Sequence, residues 1–250
     1  MKTIAFVNQK GGVGKTTTAL NVGAALAKLG ERVLLIDFDP QGSLTTVLGI
    51  NGLPDDQATS YEVISGSAKI QDARISIDLK YDLLPLDVRM SGTEDDFLGK
   101  EDRLKKALDQ VESDYDFCLI DCSPALNRFT FMALAAADFA IIPVPPQYLP
   151  IAGLILLSDT ISAVQKSLNP KLKLLGLIIT LYDGRRNQDR ELEPALRSNF
   201  QVFRTTVRYN SKIAEAPMSG KDIFETDPKG YGASAYMDIA TEIIERVNEE

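Results

Sequence analysis

The run Lys10-Gly11-Gly12-Val13-Gly14-Lys15-Thr16-Thr17 follows an apolar stretch at 3–7 and opens a helix-like stretch at 16–29. A strand, a glycine-rich turn and a helix in that order leave few folds open, because such a turn offers its backbone to something outside the chain. Gly11, Gly12 and Gly14 permit backbone angles and close approaches that a Cβ forbids, so successive N–H groups can turn toward one anion. The helix start adds its positive dipole end at the same point. In a phosphate-binding loop of this kind, Lys15 reaches the terminal phosphates and the Thr16 hydroxyl holds Mg2+. The standard pattern G-x-x-x-x-G-K-[ST] asks for glycine at position 9, where this chain has Gln9. The loop is therefore a variant, with a second lysine, Lys10, at its mouth.

Two further stretches carry carboxylates to the place where such a loop needs them. Residues 32–37 read as a buried parallel strand that ends in Asp37-Phe38-Asp39-Pro40-Gln41. Carboxylates spaced by two at the end of a strand point the same way, toward the crevice where open parallel sheets bind ligands. Residues 115–124, Tyr-Asp-Phe-Cys-Leu-Ile-Asp-Cys-Ser-Pro, form an apolar strand that ends in Asp121. Behind a phosphate loop this is a Walker B pattern, in which Asp121 holds a water on Mg2+ and the turn at 122–124 borders the outermost phosphate.

The remaining pattern alternates strands and helices. Residues 42–80 read as helix fragments and loops with a short helix at 60–64; a third strand is expected at 81–86 and a helix at 102–111. A helix through 132–137 precedes a strand at 139–144, and a helix at 151–164 leads to a strand at 172–180. Repeated β-loop-α units predict an α/β fold, a single-domain P-loop NTPase spanning 1–250, with a twisted, mostly parallel sheet and helices on both faces.

Composition narrows the chemistry. Histidine is absent, which excludes histidine triads and histidine metal sites and leaves carboxylates, lysines and a metal ion to do the work. Cys118 and Cys122 lie four apart in one strand, too far to bond, and are expected as small buried residues. No apolar run approaches the roughly 18 residues a spanning helix needs, and the chain enters its first strand without a leader-like segment, so a cytoplasmic protein with no membrane contact is expected. The net charge of −8 argues against a polyanion partner, but residues 171–221 hold ten Lys/Arg against five acids, a local +5.

The sequence resembles the deviant Walker A ATPases, the group that includes ParA/Soj partition proteins, MinD and the nitrogenase iron protein. The resemblance rests on the loop at 10–17, on Leu34-Leu35-Ile36-Asp37-Phe38-Asp39-Pro40-Gln41-Gly42-Ser43, and on a ParA/Soj-like tail. In that tail, Glu215-Ala216-Pro217 is followed by Lys221 and then by Asp227-Pro228-Lys229 through Tyr236. The chain departs from that family at Ser123, where a second proline is usual, and at 207–212, where a proline-containing I-P-R-N-V-R segment is usual. Iron-sulfur chemistry is not expected, since that branch needs cysteines in loops beyond the fourth strand and there are none.

The resemblance implies a ParA-like ATPase that dimerises on binding ATP and Mg2+, binds double-stranded DNA without sequence preference and hydrolyses ATP under stimulation by a ParB-like centromere-binding protein. Its task would be to segregate plasmid or chromosomal DNA, in a nucleoid-associated location. It implies that residues 10–17 bind nucleotide, with Lys10 reaching the second subunit's nucleotide, and that Asp39 positions the attacking water. Lys10, Lys15 and Asp39 are then the catalytic set; Thr16, Asp37 and Asp121 are the magnesium set, with Asp37 in the outer shell. The DNA candidates are Lys212, in the basic position before the Glu-Ala-Pro turn, with Arg208, Arg185, Arg186 and Lys221. With the loop starting at residue 10, no operator-reading helix-turn-helix is expected ahead of it. The alternatives are a MinD-like cargo-positioning ATPase, which an acidic C-terminal segment disfavours at an anionic membrane, and a nucleotide-dependent scaffold or regulator.

Overall fold

Short apolar runs with charges only at their ends become the interior strands of one sheet, because a strand covered on both faces has no reason to alternate. The computed structural model describes residues 1–250 apart from 51, 79, 88–89, 147–150 and 250. In chain order the elements are β1 (Lys2–Phe6), α1 (Lys15–Lys28), β2 (Val33–Phe38), α2 (Ser43–Val47), α3 (Ser60–Ser65), α4 (Ile70–Ala73), β3 (Ile75–Ile77) and β4 (Tyr81–Leu84). There follow α5 (Arg103–Leu108), β5 (Phe117–Cys122), α6 (Arg128–Ala136), β6 (Phe139–Val144), α7 (Ile151–Ser167), β7 (Lys173–Ile179), α8 (Asn187–Asn199), α9 (Ser211–Glu215), α10 (Ile223–Thr226) and α11 (Tyr231–Glu249).

The sheet runs β3-β4-β2-β5-β1-β6-β7, parallel throughout except for the antiparallel edge strand β3. β1 lies near the middle, with β5 on one side and β6 on the other. From β1 the chain crosses over to β2, beyond β5, whereas from β5 it crosses the other way, over β1, to β6. Right-handed crossovers in opposite directions put their helices on opposite faces and open a crevice at the strands' C-terminal ends.

Two hydrophobic clusters fill those faces. Leu20, Leu26, Leu44, Phe224, Tyr236 and Ile243 pack α1, α2, α10 and α11 on one side. Val63, Leu104, Phe129, Leu134, Leu157 and Leu196 pack α3, α5, α6, α7 and α8 on the other. Gly23 of α1 is needed for that contact, since a Cβ there would stand 2.6 Å from a Leu35 methyl. The apolar side of α11 is thus spent inside the molecule, at Ala233, Tyr236, Ile239, Ile243 and Val247. Among the described residues no helix is long and apolar enough to cross a membrane. Cys118 and Cys122 are both free and buried, on the same face of β5.

The strand expected third, at 81–86, is the fourth, because β3 lies inside the stretch expected to hold only helices and loops. Three residues at an edge, Ile75-Ser76-Ile77, are too short to register as a period.

A candidate phosphate site at the head of the sheet

The glycine-rich loop joins β1 to α1 at the C-terminal edge of the sheet. Gly12 and Gly14 adopt left-handed backbone angles, φ 70° and 87°, which a residue with a Cβ reaches only at a cost of roughly 1–2 kcal/mol. Gly14 is the N-cap of α1 and has no side chain to satisfy the helix start. Among the described residues the N–H groups of Gly14, Lys15, Thr16 and Thr17 have no acceptor, the first helical N–H bond being Thr18 to the Gly14 carbonyl at 2.9 Å. Four uncapped donors at a helix start form an anion site.

The loop is held by side chains outside it. Asn8 donates from Nδ2 to the Pro143 carbonyl, 2.8 Å, and its Oδ1 accepts the Lys10 N–H, 3.0 Å. The Thr180 hydroxyl donates to the Val13 carbonyl, 2.7 Å. Pro143 is tolerated within β6 because the β1 ladder stops at Ile141, so no bond needs the missing N–H.

Lys15 is buried, and its Nζ approaches the Lys10 carbonyl at 3.4 Å. Burial lowers its pKa, with Asp121 the largest of the groups that oppose this. The Lys10 side chain is exposed, and no acceptor among the described residues takes its ammonium. Thr16 and Thr17 are half-buried at the helix start; the Thr17 carbonyl accepts from Asn21 Nδ2 at 2.7 Å.

The three acids are brought together by register: Asp37 and Asp121 face each other across β2 and β5. Asp37 is fully buried, and its Oδ2 accepts both the Thr45 N–H and the Thr45 hydroxyl, each at 2.7 Å, while Oδ1 takes the Asp39 N–H at 3.4 Å. Burial pushes its pKa up to about 7, against the Thr45 hydrogen bonds. Asp39 lies in the following turn and accepts the Gln41 N–H at 3.1 Å through Oδ1. That turn needs Gly42, at φ 61°, where a Cβ would press to 3.0 Å from the Leu86 carbonyl.

Asp121 is fully buried and neither of its carboxylate oxygens has a hydrogen-bond partner among the described residues. Burial and the facing Asp37 push its pKa well above the usual range; the Thr16 hydroxyl, close by but short of a well-formed hydrogen bond, and the Lys15 ammonium pull it back. An unpartnered buried carboxylate is costly unless something outside the protein satisfies it. A hydrated divalent cation beside a phosphate does so, since Mg2+ keeps its waters and takes one or two carboxylates rather than a protein cage. In keeping with that donor set, no group of three or more His, Cys, Asp or Glu that could enclose a metal occurs among the described residues.

The basic segment 171–221 does not form one face. Lys171 and Lys173 sit at the start of β7, the opposite end of the sheet from the glycine loop, whereas Arg185, Arg186 and Arg208 are at the same end as that loop. Arg185 and Arg186 both pair with Asp183, at 2.9 and 3.8 Å. Lys212 pairs with Glu215 at 3.2 Å. The Arg208 guanidinium lies over the Tyr231 ring, 5.4 Å from its centroid, and Lys221 is exposed; neither has a carboxylate partner among the described residues.

Sequence reading missed Asn8, Thr45 and Thr180. Each is a single polar residue whose partner is fixed only by the fold.

Comparison with known proteins adds the following. A family model described as an AAA domain matches residues 1–174. The chain is 40% identical to the chromosome partitioning protein ParA of Caulobacter vibrioides over 98% of its own length and 95% of that protein's. It is 39% identical to the sporulation initiation inhibitor protein Soj of Bacillus subtilis, over 97% and 98% of the two chains. Among solved structures, a Mycobacterium smegmatis protein titled cobyrinic acid a,c-diamide synthase, with bound ADP and magnesium, superimposes with a TM-score of 0.86 at 35% identity, covering 99% of this chain and 96% of that one.

Proposed function

The chain belongs to the ParA/Soj family of AAA-domain, P-loop ATPases, and on that premise we propose that it binds ATP and Mg2+, pairs with a second copy in that state, and binds double-stranded DNA without sequence preference. ATP is then hydrolysed when a ParB-like centromere-binding partner stimulates it, and the cycle segregates plasmid or chromosomal DNA in the cytoplasm, on the nucleoid.

The observation that carries this reading is the convergence of four unpartnered N–H groups, the buried Lys15 and the Thr16 hydroxyl over an unpartnered Asp121 carboxylate. Gly11 to Thr17 wrap the phosphates, and the N–H groups donate to them. Lys15 leaves the Lys10 carbonyl to meet the outer phosphate charge. Thr16 and Asp121, with Asp37 behind them, hold the magnesium site; Mg2+ supplies neutralisation of the charge on the leaving and transferred phosphoryl groups. Asp39 has one oxygen held by the Gln41 N–H and, among the described residues, no donor on the other, so that oxygen is free to accept from and orient a water for attack on the terminal phosphorus. The bond from that phosphorus to the bridging oxygen breaks, leaving ADP, phosphate and a proton. Lys10, exposed and without an acceptor among the described residues, reaches the nucleotide of the second copy.

Lys15 and Lys10 separate the two halves of the proposal. Lys15→Ala should weaken ATP binding at least about ten-fold, the size of one lost charge-assisted contact. Lys10→Ala should keep monomer binding and lose the ATP-dependent dimer on sizing. A Lys10→Ala protein that dimerises like the parent would remove Lys10 from the partner's site.

A further inference from the structure

Thr180 follows β7 directly and is almost fully buried, 2% exposed. Its N–H is fixed by the Val144 carbonyl at 2.9 Å, so the residue is anchored to β6 before its side chain does anything. The hydroxyl then spans to the glycine-rich loop and donates to the Val13 carbonyl at 2.7 Å, joining residues 167 apart in sequence.

That carbonyl and the Gly14 N–H belong to one peptide unit. The chain has no cis peptide bond among its described residues, so the two groups point in opposite directions. Drawing the Val13 oxygen toward β7 therefore turns the Gly14 N–H away from β7, on the side where it has no protein acceptor. Rotating the unit by half a turn would put a carbonyl oxygen, with its lone pairs, where a phosphate oxygen must lie.

Gly14 itself does not fix the orientation: it has no Cβ and is the residue type with the most backbone freedom. Of the contacts described around this unit, the Thr180 hydroxyl is the one that distinguishes the two orientations. We infer that Thr180 is a positioning residue for nucleotide binding: its hydroxyl holds the Val13–Gly14 peptide so that the Gly14 N–H faces the bound phosphate. The inference rests on the nucleotide reading above.

The test compares Thr180→Val, which keeps the shape and removes the donor, with Thr180→Ser, which keeps the donor. Affinity is read by titrating each protein with a fluorescent ATP analogue and Mg2+, and folding by thermal melts without nucleotide. Thr180→Val should bind roughly ten-fold more weakly, the loss expected for one hydrogen bond to a charged group, and Thr180→Ser should return to within about two-fold of the parent. A hydroxyl with a merely structural role would lower the nucleotide-free melting temperature and leave the affinity of the folded protein unchanged; that result overturns the inference, as does a Thr180→Ser protein as weak as Thr180→Val. Should Thr180→Val not melt cooperatively, Thr180→Ala against Thr180→Ser isolates the same hydroxyl, and equal affinities overturn the inference. Failure of the parent protein to bind the analogue would instead strike the nucleotide reading itself.

Discussion

Asp37, Asp39 and Asp121 lie within one small region and differ in what their oxygens touch. Among the described residues, Asp37 is committed to Thr45 and holds the turn after β2 in place, Asp121 has no well-formed donor, and Asp39 combines a tethered oxygen with a spare one. On the proposed reading, Asp39→Ala keeps the backbone donors of the phosphate cradle and removes the carboxylate that orients water, together with its hold on the Gln41 N–H. Turnover in Asp39→Ala should fall at least about ten-fold, a floor set below the ~10² to 10⁴ that acid–base positioning contributes, while ATP binding persists and sizing with ATP gives a lasting dimer. Wild-type turnover in that variant would make Asp39 a structural acid. Of these three, the sequence placed all at the crevice because strand ends and spacing are local properties. The different roles given to Asp37 and Asp39 came from the family resemblance, since spacing does not show the surroundings that Thr45, Thr16 and Lys15 make from other elements.

Between elements, the start of β2 is clamped to the start of β5 by a forked pair. Asp116 Oδ1 accepts from Arg32 Nη2 at 2.8 Å, and its Oδ2 accepts the Arg32 N–H at 2.9 Å and Nε at 3.1 Å. The Arg32 guanidinium and N–H hold the Asp116 carboxyl down to about 2. A depressed carboxylate stabilises the fold above its unfolded pKa near 3.9 and loses that contribution as pH falls from about 4 toward about 2. Both partners face solvent, 57% and 37% exposed, so screening keeps the effect small. Asp116→Asn should therefore lower the melting temperature by about 2 °C at pH 7, with the gap to the parent closing below pH 4 in melts at stepped pH. A gap that stays constant down to pH 3 would mean the amide's packing, not the charge, is responsible.

The buried strands β1, β2, β5, β6 and β7 were legible at this scale because each is a short, nearly unbroken apolar run. Helix α8 was not read: Pro194 interrupts it, and its apolar stripe at Leu192, Ala195 and Leu196 is short within an otherwise polar stretch. Thr180 is legible only as the last residue of a strand, since its partner is 167 residues away.

Over the whole molecule, charge is distributed less simply than the local +5 suggests. Arg185, Arg186, Arg197, Arg204 and Lys212 are paired with Asp183, Glu193, Glu242, Glu245 or Glu215. Arg208 and Lys221 keep their charge unpaired by any described carboxylate. A protein of net charge −8 should hold a polyanion only where such groups are gathered, as a dimer gathers two sets. In shift assays on unrelated duplexes, binding should require ATP, ignore sequence and weaken steeply with salt, with the salt slope reduced by about 0.9 for each phosphate contact removed. Arg208→Ala and Lys221→Ala should cost more than Lys212→Ala, whose ammonium already has Glu215. Equal binding with ATP, ADP and no nucleotide, or an unchanged slope in the double variant, would sink the DNA reading.

The strand order also sets a schedule for the newborn chain. Of the described strands β1 is made first, yet its ladder partners lie at 117–121 and 139–141, and Thr180 comes later still. At about 5–20 residues per second, roughly ten to thirty-five seconds separate synthesis of Lys2 from synthesis of Thr180. For most of that interval, until β5 is made, the amino-terminal strand has no ladder partner, whereas β2, β4 and β3 can already pair. The glycine-rich loop, near the front of the chain, is thus among the last parts of the molecule to acquire its working shape.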